Sequence, residues 1–327
     1  MSSFIEERVC QFNVCLPYES DFPKVSSGPH SPLLSGMPKP RIHLVECPRD
    51  AIQGWPHPIS TEDKMAYYRV LLRAGFDTLD LGSFVSPKAI PAMADTPKVL
   101  AQLTEEEQWD QTETQALVIV ANERGARDAV AFDCVDALGY PLSLSPTFQE
   151  RNTRATLDEA WRRLEVIAAL CATHRKKLVV YLSMGFGNPY GDSWNEGMPA
   201  TWAAQLKARI DPHVISLADT VGAANPETVQ RVFEEATNAV GAQCLGAHLH
   251  LHPFRGLDVV EAAHRGGCLR FDGALRGVGG CPMAQDDLVG NAPTELLVEW
   301  AERQGLWSVK DASALDQAQS IAADLFA

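Results

Sequence analysis

The chain has 327 residues, of which 46% are hydrophobic and 21% charged, and its formal net charge is −14. This composition is typical of a globular protein and excludes a disordered or fibrous one. The acidic balance argues against nucleic acid or an anionic membrane as a partner, because either would require a basic face. The 8 cysteines are scattered singly, and the N-terminus shows no secretory or organellar leader. We therefore expect reduced thiols and a cytoplasmic location.

Up to about residue 40 the sequence is rich in Pro, Ser and Gly and has no sustained period, which predicts an extended arm. From residue 41 short apolar runs alternate with longer amphipathic runs, and each pair predicts a β-strand followed by an α-helix. The first long helix is predicted to begin at the capping pair Ser60 and Thr61 and to end at Ala74. The predicted strands cover residues 42–47, 78–84, 116–122, 135–144, 177–186, 214–219, 244–252 and 270–275.

The number of these βα units bears on the fold class. Eight successive units in roughly 270 residues favour a closed (β/α)₈ barrel over an open doubly wound sheet, which usually has five or six strands. We predict an α/β protein with a single TIM barrel over residues 41–305, an N-terminal arm over residues 1–40 and a C-terminal helical extension over residues 306–327. Active sites of this fold lie at the carboxyl ends of the strands. Polar residues at those ends are therefore the candidates for chemistry.

Polar side chains cluster at several predicted strand ends. They are Glu46 to Asp50 at the end of strand 1, Asp219 and Thr220 at the end of strand 6, His248, His250 and His252 on strand 7, and Asn291 beyond strand 8. Residues two apart on a strand point to the same face, so His248 with His250, or His250 with His252, can form a pair of nitrogen ligands. Hydrogen-bonded structural histidines are the alternative interpretation.

Two oxygen donors complete a metal-ligand set. The carboxylate of Asp50 and the amide oxygen of Asn291 would join the two imidazoles in an N₂O₂ arrangement. A set without thiolate favours Mg²⁺ or Mn²⁺, while Zn²⁺ and Co²⁺ can compete through the imidazoles. The residues therefore predict a divalent metal site with positions open for substrate oxygens and water.

Six segments, in chain order, resemble 3-hydroxy-3-methylglutaryl-CoA lyase, a family of metal-dependent barrels related to the isopropylmalate and homocitrate synthases. The segments are ECPRDAIQ (46–53), GSFVSPKAIPAMAD (82–95), ISLADTVG (215–222), HLH (248–250), GVGGCPMAQ (277–285) and GN (290–291). The resemblance extends from about residue 41 to about residue 303. SFVSPK together with GxGGCP is specific to the lyases, whereas the RD and HxH elements are shared with the synthases.

The resemblance implies a role for each matched residue. The implied metal ligands are Asp50, His248, His250 and Asn291, with His252 as a neighbour of the site. The implied catalytic residues are Arg49, which polarises the thioester carbonyl, together with Asp50, Asp80, Asp219, His248 and the loop cysteine Cys281. Gln53 is expected beside the substrate. Lys88, within SFVSPK, is expected to bind a CoA phosphate or the acyl carboxylate, and a surface lysine without a role is the alternative.

The sequence departs from the family pattern in four places. Ala51 stands where the family has Gly, Asp80 where it has Glu, and Leu251 with His252 where it has Asp-Thr; the loop from Cys281 to Asn291 is also one residue longer. The resemblance implies that these positions lie around the substrate and are not metal ligands. The resemblance therefore leaves the acyl group that is cleaved open.

The function that the resemblance implies is a metal-dependent C–C lyase. It would cleave a 3-hydroxy-3-alkylglutaryl-CoA, such as 3-hydroxy-3-methylglutaryl-CoA, to acetyl-CoA and a 3-oxo acid such as acetoacetate. A Claisen-condensing synthase is the first alternative, although the synthases carry a Glu-Arg pair in the strand-8 loop, which here reads Gly280-Cys281-Pro282. A non-catalytic barrel that binds a CoA ester is the second. The expected partners are an acyl-CoA and a second copy of the chain in a homodimer.

The implied role of Cys281 can be tested by substitution. We expect Cys281→Ser to fold and bind metal normally but to turn over slowly, because a hydroxyl has a much higher pKa than a thiol and protonates carbon less readily. Steady-state kinetics at unchanged metal content should show a lower kcat with little change in KM. An unchanged kcat would assign the proton to another acid.

Overall fold

The computed structural model describes residues 40–106, 109, 111–251, 256–280 and 289–327. The predicted N-terminal arm before residue 40, His252 and the loop cysteine Cys281 lie outside the described residues. The predictions made for them therefore stay predictions.

Eight parallel strands form a closed barrel, which confirms the predicted fold class. Each strand pairs with the next along the chain, and β8 pairs with β1 to close the sheet. The strands are β1 (His43–Glu46), β2 (Thr78–Ser83), β3 (Gln115–Ile119), β4 (Ala137–Ser143), β5 (Lys177–Ser183), β6 (Val214–Asp219), β7 (Leu245–Leu251) and β8 (Arg270–Gly273).

Helices surround the barrel and follow its strands. They are α1 (Pro48–Gln53), α2 (Thr61–Ala74), α3 (Thr96–Thr104), α4 (Glu123–Val130), α5 (Pro146–Thr153), α6 (Leu157–His174), α7 (Gly197–Arg209), α8 (Pro226–Val240), α9 (Gly256–Arg265), α10 (Thr294–Gln304) and α11 (Ala312–Leu325). Side chains cap many of their N-termini; Thr156 and Glu159 form a capping box on α6, and Ser60 accepts the backbone N–H of Asp63 on α2.

Three elements near the strand ends were not predicted. Helices α1 and α5 each begin with a proline, which supplies a φ suited to the first helical turn. A ninth strand, β9 (Gly290–Asn291), runs antiparallel to β7. Helix α1 matters most, because it places Arg49 and Asp50 on a buried turn immediately after β1.

The barrel strands separate two buried layers of side chains: an outer apolar layer between the strands and the helices, and an inner layer that fills the barrel. Ala247, Leu249 and Leu251 of β7 pack in the layer beneath the helices. Because successive strand residues alternate between faces, His248 and His250 point into the barrel. The barrel interior also holds an apolar cluster of Leu117, Ala137, Val179, Tyr181 and Val214.

The last helix packs against the barrel's own outer layer. The apolar side of α11 is buried, and the following residue, Phe326, makes an edge-to-face contact with Trp55 at 5.4 Å between ring centroids. The Arg73 Nη2 of α2 donates to Gln317 Oε1 of α11. Among the described helices, none is both long enough and apolar enough to cross a lipid bilayer.

The fully buried carboxyl of Glu46, at the end of β1, links the strand to the start of α10. It accepts hydrogen bonds from the Leu275 backbone N–H and from the Thr294 hydroxyl. Burial outweighs these contacts and raises the pKa of Glu46 to about 8. Since the folded chain binds this proton more tightly than the unfolded chain, stability falls as pH rises from about 4.5 to about 8.

We expect Glu46→Gln to remove this pH dependence. At pH 9 the variant should be more stable than the wild type, by roughly 2–4 kcal/mol, and the difference should shrink towards pH 5. Urea unfolding at both pH values measures the difference, with the exposed Glu62→Gln as a matched control. A difference that is the same at both pH values would show that Glu46 is not the titrating group.

Candidate active site

Three predicted ligands converge at the carboxyl end of the barrel. One ligand atom from each of Asp50, His248 and His250 lies within 4.8 Å of the other two. Asp50 and His250 are buried, and the His248 side chain is 15% exposed. The strand register explains the geometry, because β7 and β8 are neighbours and β8 in turn pairs with β1, which leads into Asp50. Sequence spacing alone does not bring the Asp50 carboxylate close to the two imidazoles. Closure of the barrel does so.

The orientation of His250 fits a metal ligand. Its Nδ1 lies 3.0 Å from the Thr220 carbonyl oxygen, so Nδ1 carries the proton and donates it. Its Nε2 is buried without a hydrogen-bond partner among the described residues. A buried nitrogen lone pair left without a donor is unfavourable, and a bound cation would satisfy it. The donor set therefore fits a divalent ion.

Asn291 is held beside this group by β9. It is the register partner of His250, and its Nδ2 donates to Asp50 Oδ2 at 2.8 Å and to the Val278 carbonyl at 3.0 Å. Gly279 makes this approach possible, since a Cβ there would lie 2.5 Å from Asn291 Nδ2. One glycine of the GVGGCP segment is thus required for close packing against the site.

Arg49 bridges the acidic side chains of the site. Its Nε and Nη2 donate to Asp80 Oδ2 at 2.9 and 2.5 Å, and its Nη1 donates to Asp50 Oδ1 at 2.7 Å and to Gln53 Oε1 at 3.1 Å. The Arg49 side chain is 8% exposed. These hydrogen bonds fix the orientation of the planar Arg49 guanidinium, and they show that Gln53 contacts Arg49.

The pKa values follow from burial and from these ion pairs. Burial raises the pKa of Asp80 to about 6, even though Arg49 acts in the opposite direction. At Asp50, Arg49, His248 and the Asn291 amide together outweigh burial and lower the pKa. Burial, reinforced by His248, lowers the pKa of His250 to about 4. Asp50 is therefore ionised and His250 neutral at neutral pH, which are the forms that bind a metal.

Two further predicted residues lie apart from the ligand group. The Asp219 carboxylate accepts backbone N–H groups of Ala223 and Ala224 at 3.0 and 2.9 Å, so it fixes the loop after β6. That loop includes the Thr220 carbonyl that contacts His250. Lys88 is exposed on the turn after β2.

The sequence interpretation missed Asp272 and the Thr220 carbonyl as parts of the site. Asp272 Oδ2 lies 3.3 Å from His248 Nδ1. A usable signal existed for Asp272, because an acidic residue in the middle of a short buried strand is unusual. The contact of Thr220 uses its backbone, and no side-chain pattern could have revealed it.

The fold and the site together define the class: a (β/α)₈ barrel with a candidate divalent-metal site where its strands end. Residues 41–323 match the HMGL-like family. The chain belongs to this family of metal-dependent C–C lyases.

Individual relatives agree with the family match. The hydroxymethylglutaryl-CoA lyase of Bacillus subtilis is 30% identical over 262 residues, which are 79% of this chain and 84% of that protein. The 3-hydroxy-3-isohexenylglutaryl-CoA/hydroxy-methylglutaryl-CoA lyase of Pseudomonas aeruginosa is 27% identical over 260 residues, with the same coverage of 79% and 84%. An HMG-CoA lyase structure from Acinetobacter baumannii, in complex with coenzyme A and 3-methylmalate, matches with a TM-score of 0.79 at 30% identity, over 88% of this chain and 91% of that one.

We expect Arg49→Lys to lower kcat by about 10² to 10³, equivalent to ~2.7–4 kcal/mol of transition-state stabilisation. An ammonium has three N–H bonds, so it cannot reproduce the four hydrogen bonds that Arg49 donates to Asp80, Asp50 and Gln53, nor can it present a planar fork to the substrate. Kinetics at saturating substrate measure the change, with Arg73→Lys on the outer helix α2 as the control. A loss under tenfold would remove Arg49 from the chemistry.

We expect one divalent ion per chain in the metal-loaded protein and loss of that ion in His250→Ala. The reason is that His250 supplies a neutral, buried nitrogen aimed at the site. Elemental analysis after dialysis gives the stoichiometry. His252→Ala is the matched control: if it loses the ion while His250→Ala retains it, the ligand assignment is wrong.

Proposed function

We propose that this protein cleaves a 3-hydroxy-3-alkylglutaryl-CoA by retro-Claisen chemistry to acetyl-CoA and a 3-oxo acid. The observation that carries the proposal is the buried Arg49 guanidinium beside the Asp50, His248 and His250 group. The names of the relatives from Bacillus subtilis and Pseudomonas aeruginosa support the same reaction and include two different alkyl substituents.

The reaction sets three requirements. The tertiary hydroxyl at C3 loses its proton and becomes a ketone as the C2–C3 bond breaks. The electron pair of that bond moves to C2 and gives the enolate of acetyl-CoA, whose charge lies on the thioester oxygen. Protonation of C2 then completes acetyl-CoA. The site must therefore supply a proton acceptor, a stabiliser for the enolate oxygen and a proton donor.

Asp50, His248 and His250, with Asn291 beside them, are the residues that would hold the divalent ion. When bound, such an ion acts as a Lewis acid that lowers the pKa of the substrate hydroxyl.

Arg49 is positioned to stabilise the enolate oxygen. A guanidinium has five N–H bonds. Four of them donate to Asp80, Asp50 and Gln53, and no described residue accepts the second N–H of Nη2, which we propose contacts the substrate. Because the protein already fixes the fork, little reorganisation is needed when charge develops on the thioester oxygen.

We assign proton acceptance to Asp80 and proton donation to Cys281. Asp80 Oδ1 has no hydrogen-bond partner among the described residues, and burial raises the pKa of this carboxyl to about 6, close to neutral pH. Cys281 lies outside the described residues, so its role rests on the sequence resemblance. Asp219, the last residue of β6, supports the site by fixing the following loop through its carboxylate.

We also propose a ligand, a metal ion, an assembly and a location for this protein. An acyl-CoA as ligand is supported by the Acinetobacter baumannii relative in complex with coenzyme A. The exposed Lys88 is the residue proposed for the CoA phosphate or the acyl carboxylate. We further propose Mg²⁺ or Mn²⁺ as the ion, with Zn²⁺ and Co²⁺ as competitors, a homodimer as the assembly and the cytoplasm as the location.

A substrate panel tests the proposed function. We expect the Mn²⁺-loaded protein to release acetyl-CoA from 3-hydroxy-3-methylglutaryl-CoA or from a homologue with a longer 3-alkyl group, with equimolar 3-oxo acid. His250→Ala is the inactive control. Condensation of acetyl-CoA with a 2-oxo acid would instead identify a synthase. Absence of turnover of every ester despite tight binding would identify a non-catalytic barrel.

A further inference from the structure

The carboxylate of Asp272 lies directly behind one candidate ligand. Asp272 on β8 is the register partner of His248 on β7, so both side chains project from the sheet at the same level. Asp272 Oδ2 lies 3.3 Å from His248 Nδ1. The Asp272 side chain is completely buried. A completely buried carboxylate is unfavourable unless it is paired with a cation or accepts hydrogen bonds.

The two histidines of the site are oriented in the same way by different groups. His250 Nδ1 faces the Thr220 carbonyl, and His248 Nδ1 faces Asp272. In both cases the contact occupies Nδ1 and leaves Nε2 as the nitrogen available to a metal. Such contacts fix the orientation of the imidazole ring and its tautomer. A carboxylate partner also makes the other ring nitrogen a stronger metal ligand.

We propose that Asp272 is a positioning residue that fixes the His248 ring with Nδ1 protonated and thereby sets the affinity of the site for its divalent ion. This inference rests on the proposed metal site. Arg270, also on β8, balances the charge, since its Nε lies 3.7 Å from Asp272 Oδ1.

A competing role for Asp272 is that of a direct ligand. One ligand atom from each of Cys47, His248 and Asp272 also lies within 4.8 Å of the others. His248 belongs to both groups. Two observations favour the group that contains Asp50: the hydrogen bond to His248 Nδ1, and the buried His250 Nε2, which has no hydrogen-bond partner in the described part of the chain. In that group the metal would meet an ionised carboxylate and no thiol.

Direct titration of the metal-free protein with Mn²⁺ tests the proposal without using activity. We expect Asp272→Asn, which keeps the shape but loses the charge, to raise the Kd by about 10- to 100-fold with an unchanged stoichiometry of one ion. Asp77→Asn is the matched control, because Asp77 is a largely buried acid that contacts Leu44 and Trp307 away from the site. An unchanged Kd in Asp272→Asn overturns the proposal.

Two measurements on the folded wild-type protein keep the test independent of the variant. Nitrogen-15 NMR of the Zn²⁺-loaded protein should show a proton on His248 Nδ1, and a metal-bound Nδ1 would overturn the proposal. The Co²⁺-loaded protein should lack a thiolate-to-metal absorption band; a band that Cys47→Ser removes would make Asp272 part of a direct ligand set. A wild type that binds no ion would instead overturn the metal site itself.

Discussion

Buried negative charge at the barrel mouth is the constraint on which the rest of this site depends. Asp50 and Asp80 share one guanidinium, and Asp272 faces a histidine with Arg270 at longer range. Removing such ions from water costs several kcal/mol each unless they are well compensated. Arg49 supplies part of that compensation, and a divalent cation held by Asp50 and the two histidines would supply the remainder. The same charges that recruit the cation also orient the guanidinium.

The fold holds these groups together by backbone geometry rather than by long side chains. Helix α1 begins immediately after β1 and carries both Arg49 and Asp50 on one short, buried segment. Strand β9 attaches Asn291 to His250, and Gly279 allows the neighbouring segment to approach within contact distance. Asp50 follows β1 directly, the two histidines lie on β7, and Asn291 lies on β9, which pairs with β7. Barrel closure therefore fixes the separation of these side chains. Substrate specificity can then change in the surrounding loops while the ligands stay in place.

Much of this architecture could be predicted from the sequence. The alternation of apolar and amphipathic runs predicted every barrel strand, because buried parallel strands read as continuous apolar segments. The period of two on β7 correctly placed His248 and His250 on one face. Short helix α1 was missed because six residues carry too little periodicity, although Pro48 was a start signal. Asp272 was missed because its contact with His248 depends on the register between two neighbouring strands. Thr220 was missed because it contacts His250 through its backbone carbonyl. A single sequence displays neither feature.

We propose that a divalent cation binds among Asp50, His248 and His250 at the barrel mouth. Anomalous diffraction at the manganese edge from crystals grown with Mn²⁺ locates the ion directly. We expect one peak per chain within about 2.0–2.3 Å of an Asp50 oxygen and of the Nε2 atoms of His248 and His250. A peak bound instead by Cys47 and Asp272, or no peak at the barrel mouth, would contradict it.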